Sequence, residues 1–106
     1  MDEVYFEVIS KFGKRIQVTR YRWNLIIRTK HPDIENKEKE VKETLMNPDE
    51  IRVSEKDSSV YLYYKKYGKL WVSVVAKHIN NDSFIITTYH TDRIKEGELI
   101  YENKNE

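Results

Sequence analysis

His31, Arg52, Ser54, Lys77, Thr87 and Tyr89 are the side chains that could do chemistry together. Such a set can break an RNA strand without a metal. The ribose 2′-hydroxyl attacks the phosphate, one group takes its proton, another protonates the leaving oxygen, and cations or donors carry the phosphoryl charge. Histidine titrates in the right range for proton transfer. Arginine and lysine hold phosphate, arginine as a bidentate fork. Thr87, Thr88 and Tyr89 supply hydroxyls, while Tyr63, Lys65 and Trp71 stand in aromatic and basic runs suited to stacking on bases. Each residue also has a plainer use. His31 before Pro32 can cap helix carbonyls, Lys77 can face solvent, and the tyrosines can pack across strands.

The elements that must position these groups are legible as patterns. Val4 to Ser10 and Arg15 to Thr19 read as strands around the turn Lys11-Phe12-Gly13-Lys14, an N-terminal hairpin. Thr19 is a suitable N-cap for a helix over Arg20 to Lys30, with Trp23, Ile26, Ile27 and Lys30 on one core-facing stripe. Pro32 ends it and leaves His31 at the exit. A second, charged helix is expected from Asp33 to Met46, with Ile34, Val41 and Leu45 as its apolar stripe.

From Glu50 onward the chain reads as strands: Ile51 to Ser54, Val60 to Lys66, Leu70 to Ile79 and Ser83 to His90. The connections between them are short enough to demand antiparallel neighbours. In the last of them Phe84, Ile86, Thr88 and His90 should share one face, and Ile85, Thr87 and Tyr89 the other. Thr91 should cap a helical turn over Asp92 to Lys95, and Glu98 to Tyr101 should form an edge strand open to partner addition. The fold class expected is α+β, an N-terminal hairpin and two helices packed on a four-stranded antiparallel meander, as one domain over residues 1–106.

Composition narrows the function classes. Without cysteine the chain has neither disulfides nor thiolate metal ligands, and its three histidines lack metal-ligand spacing. No cofactor is expected. No apolar run approaches the roughly 20 residues that span a bilayer, so a soluble, cytoplasmic protein without a membrane partner is the expectation. The net charge of +1 conceals blocks of +4, −4, +4 and −3 over residues 1–30, 31–58, 59–95 and 96–106. Basic blocks of this kind can present a cationic face to phosphate.

The runs Thr19-Arg20-Tyr21-Arg22-Trp23-Asn24-Leu25-Ile26-Ile27, Lys30-His31-Pro32-Asp33, Thr44-Leu45-Met46-Asn47-Pro48-Asp49-Glu50-Ile51, Tyr63-Tyr64-Lys65, Val74-Val75-Ala76-Lys77 and Phe84-Ile85-Ile86-Thr87-Thr88-Tyr89 carry a likeness. Over about residues 19–95 the chain resembles the barnase–EndoU–colicin–RelE-like nuclease superfamily, in its phage and mobile-element branch. The resemblance implies a helical N-terminal part on a four-stranded antiparallel sheet and metal-independent RNase activity. It also implies a toxin paired with a neighbouring antitoxin protein. By position, His31 would be the helix-end histidine, and Thr87 or Thr88 with Tyr89 the hydroxyls of the last strand. Arg52, Ser54 and Lys77 follow by strand position alone, and the general base stays open. The expected function is therefore a toxin-type endoribonuclease. A non-catalytic RNA- or protein-binding module on the same fold is the alternative.

Overall fold

Thr19 ends one element and starts the next. Its backbone is extended (φ −80°, ψ 157°), and its hydroxyl accepts the Arg22 N–H at 3.1 Å, which caps a helix. In the computed structural model, which describes residues 3–80, 82–94 and 96–104, this helix α1 (Arg20–Leu25) is short. Over Ile26–Lys30 the backbone widens to a π turn in which the His31 N–H reaches the Ile26 carbonyl at 2.7 Å. Thr29 donates its hydroxyl to the Leu25 carbonyl there. The α-helix expected to Lys30 thus stops five residues early. A single 3₁₀ turn at Pro32–Ile34 and a left-handed Asn36 (φ 67°) lead into α2 (Glu38–Met46), so the second helix is shorter than expected too.

Seven strands follow the expected order along the chain: β1 (Val4–Ile9), β2 (Arg15–Thr19), β3 (Glu50–Val53), β4 (Val60–Tyr67), β5 (Leu70–Lys77), β6 (Phe84–Thr91) and β7 (Glu98–Glu102). Their pairing corrects the expected architecture. All seven join one mixed sheet in the order β1-β2-β6-β5-β4-β3-β7, in place of a separate hairpin and a four-stranded antiparallel meander. The N-terminal hairpin adds to the outer edge of β6 through one parallel pair, Gln17 with Phe84. β7 crosses to the far edge and pairs with β3. The expected helical turn after Thr91 is absent among the described residues, with Lys95 outside them. Instead the Thr91 hydroxyl donates to the Arg93 carbonyl at 2.8 Å.

Register sorts the sheet into two faces. Ile51, Tyr63, Val74 and Thr88 stand opposite one another in one row and turn toward the helices. Val41 and Leu45 of α2, Ile34, and Trp23 and Ile26 of the first helical segment complete the core with them. The next row, Glu50, Tyr64, Ser73 and Tyr89, points the other way, as does Arg52, Leu62, Val75 and Thr87. A bulge between Val75 and Ala76 leaves Ile86 as the extra residue of β6. Ile85 therefore packs in the core on the side of Thr88 and His90, which overturns the strict alternation expected for this strand.

The twist of a wide sheet lifts its two pairs of opposite corners toward opposite faces. On the helix side the β1–β2 turn meets β7, Phe12 edge-on to Tyr101 with centroids 5.9 Å apart. On the open side the connection from β6 to β7 crosses as a strap. Arg52 Nη1 donates to the Gly97 carbonyl at 3.1 Å and ties the strap down. Gly97 has φ +93°, and a Cβ there would lie 2.9 Å from the Arg52 Cβ and 3.1 Å from the Val53 carbonyl. Gly97→Ala should therefore destabilise by about 2 kcal/mol or more in urea unfolding, from combined backbone strain and overlap. Gly13→Ala, at φ +83° with open space around it, should cost only about 1 kcal/mol.

Candidate functional site

The segment leaving the π turn grips β6 from both sides. His31 lies against Tyr89, ring centroids 5.3 Å apart and planes 31° from parallel. Two residues later Asp33 Oδ2 meets His90 Nδ1 at 2.6 Å. Tyr89 and His90 are neighbours in a strand and point to opposite faces. The chain from His31 to Asp33 must therefore wrap the edge that β2 leaves free. Burial is the largest influence and works against the charge on Asp33, but the hydrogen bond from His90, backbone hydrogen bonds and attraction to His90 together outweigh it and hold the carboxyl below its usual range.

On the open face Tyr64, Tyr89, Thr91, Arg93 and Glu96 line a cavity of about 270 Å³. Tyr64 is 1% exposed. Burial pushes its hydroxyl pKa up, and the adjacent Tyr89 and Glu96 add to the effect. Tyr64 therefore remains a protonated donor at any physiological pH. Ser73 faces the same hydroxyl, but its contact falls short of hydrogen-bond geometry, and the buried Thr87 Oγ1 likewise has no partner among the described residues. Trp71 stands edge-on to Tyr64 (centroids 6.4 Å apart), and Lys66 Nζ lies 5.0 Å over the Trp71 ring. The site thus holds phenolic donors, a guanidinium, a carboxylate and an imidazole at its border. Among the described residues no three His, Cys, Asp or Glu side chains cluster to hold a metal.

The residues singled out from the sequence divide between the two faces. Thr87, Tyr89, Arg52 and Trp71 share the open face, with His31 at its edge. Arg52 is engaged by Glu50 at 3.0 Å and by the strap. Lys77 is on the same face toward its other end, paired with Asp57 at 3.1 Å. Hydrogen bonds from Ser59, then Lys77, hold the Asp57 carboxyl down to about 2. Ser54 lies under the strap, where its hydroxyl accepts the Lys56 N–H.

Thr88, Tyr63 and Lys65 turn to the helix side. Thr88 donates to the Ser73 carbonyl at 2.7 Å, and Lys65 Nζ donates to the Asn47 carbonyl. Buried Tyr63 donates to Ser10 Oγ and lies 2.9 Å from His78 Nε2. Tyr64 and Lys66, their neighbours in β4, hold the open-face positions instead. The signal was present in the sequence. The tight Tyr67–Leu70 turn puts Lys66 opposite Trp71 and Tyr64 opposite Ser73, the mixed face of β5. Arg93 and Glu96 had no such signal, because only the course of the strap brings them over the sheet.

No protein-family model, no curated protein and no solved structure matches this chain. No helix among the described residues is long and apolar enough to cross a membrane.

His78 reports on the opposite face. It stacks on Tyr61 with centroids 3.9 Å apart, and burial, aided by the charge of Lys14, pushes its pKa down to about 4. The unfolded chain then binds the proton first, so stability is complete above about pH 6.5 and falls as the pH drops toward 4. Allowing for partial exposure, the loss should be on the order of 1–2 kcal/mol. Urea midpoints between pH 8 and 4.5 should fall less steeply for His78→Asn than for the wild type.

Proposed function

We propose that this chain is a metal-independent endoribonuclease of toxin type that works on the open face of its sheet. The observation that carries the reading is Tyr89, which borders His31 and shares a cavity with Tyr64, Arg93 and Glu96. Cleavage forms a bond from the ribose 2′-oxygen to phosphorus and breaks the bond from phosphorus to the 5′-oxygen. A 2′,3′-cyclic phosphate and a 5′-hydroxyl result. Two proton carriers are needed, and His31 against Tyr89 and Glu96 in the cavity that Tyr89 lines are assigned to these roles. Arg93 carries the phosphoryl charge, with Tyr64 and Tyr89 donating hydrogen bonds. Arg52 acts as a positioning residue, since Glu50 and the strap already occupy its guanidinium. Trp71 with Lys66 above it offers a base platform beside the cavity.

Charge distribution supports an RNA substrate. Among the described residues Arg22, Arg28, Lys30 and Arg93 have no ion-pair partner, whereas Arg15, Arg20, Arg52 and Lys77 each have one. Cations left free in this way are available for phosphate. A cytoplasmic RNA is the target that fits, and an antitoxin would be a protein that covers the cavity at Tyr89 and Arg93.

The test is cleavage of end-labelled RNA in EDTA. Wild type should cut, His31→Ala should lose about 100-fold or more in rate, and Tyr89→Phe should lose less. Unchanged cleavage by His31→Ala would remove His31 from the proton transfer. Tight RNA retention without cutting, where a control nuclease works, would establish the binding-module reading instead.

A further inference from the structure

β2 and β6 share only the Gln17–Phe84 pair because Thr19 turns the chain out of β2 and into α1. Where they part, a cleft of about 400 Å³ opens at the edge of β6, lined by residues from both faces of the sheet. Gln17 and Phe84 point to the open face by register, and Tyr21 and Arg22 from the first turn of α1 line the cleft with them. The floor is apolar, from Val18 and Ile85. Three of its polar groups are unengaged among the described residues: the Gln17 amide, the Asp82 carboxylate and the Arg22 guanidinium. Tyr21 is 64% exposed, a large aromatic held out beside a cleft instead of buried in the core.

We infer that this cleft is a base-binding subsite for single-stranded RNA, an inference that rests on the nuclease reading above. The lining has the parts such a subsite needs. Tyr21 and Phe84 offer aromatic surface to the face of a base, Gln17 and Asp82 offer an acceptor and donor set to its edge, and Arg22 meets the adjoining phosphate. Position argues in the same direction. The cleft and His31 lie at the two ends of one segment, Thr19 to His31, and Phe84 and Tyr89 lie on one strand, roughly 15 Å apart. Along that segment Arg28 and Lys30 are exposed and free of ion pairs among the described residues. Unpaired cations therefore lie along the segment that joins the cleft to His31.

The test uses fluorescein-labelled RNAs of two, four, six and eight nucleotides, 2′-O-methylated throughout so that none can be cut. Wild-type affinity by anisotropy should step upward at the length that reaches the cleft. Tyr21→Ala should abolish that step, roughly 5- to 100-fold, and leave the dinucleotide unaffected. Removing single bases from the octamer should identify one position whose loss weakens wild type but not Tyr21→Ala. Equal binding of long RNA by wild type and Tyr21→Ala would overturn the subsite and leave the nuclease reading standing. Loss with Arg22→Gln alone, insensitive to base removal, would also overturn it, since only phosphate would then be held. No binding of any RNA by wild type would overturn both.

Discussion

The edge of β6 is the constraint on which the rest of the structure depends. On one side β6 is paired to β5 along its length except at the Ile86 bulge, and on the other it has a single ladder pair to β2. Unpaired strand edges are costly when they are buried and hazardous when they are exposed. Here the edge is divided between two short occupants, the N-terminal hairpin at one end and the His31 to Asp33 segment at the other. The hydrogen bond between Asp33 and His90 spans 57 residues of sequence and fixes the second of these. Because the segment wraps the edge, the same bond on the helix side holds His31 against Tyr89 on the open side.

The strap gives the open face its second constraint. It leaves β6 at Thr91, crosses β5 and β4, and reaches β3 where Gly97 rests on Arg52 and Leu62. Only a residue without a Cβ can lie that close to the sheet in a left-handed conformation. The crossing buries Tyr64 on a face that no helix covers, and it brings Arg93 and Glu96 to a cavity otherwise built from strand residues. A guanidinium bound to Glu50 and to the strap is therefore structural first, whereas that of Arg93 has no ion-pair partner among the described residues. The two faces also differ in how they treat histidine. His78 is packed between tyrosines and held neutral, whereas His31 lies at the border of an open cavity.

What the sequence determined by itself was local. Alternation and turn residues located the strands to within a residue or two, Thr19 announced its helix, and Val41 and Leu45 their buried stripe, because each depends on neighbours a few positions away. The tight turn between β4 and β5 also fixed which of Tyr63 and Tyr64 faces the site, a consequence of two-residue hairpin geometry. Tertiary structure alone decided the rest. The parallel contact of β2 with β6 and the passage of β7 to β3 are pairings between distant strands, and any strand with a free edge satisfies the local pattern equally well. The bulge that moved Ile85 into the core arises from fitting β6 to β5 and leaves no mark in composition. His31 was legible as a residue with chemical potential, but its partner Tyr89, its anchor Asp33–His90, and the approach of Arg93 and Glu96 are set by contacts across the fold. Strand propensity and capping are short-range energies, whereas a site is assembled by long-range ones.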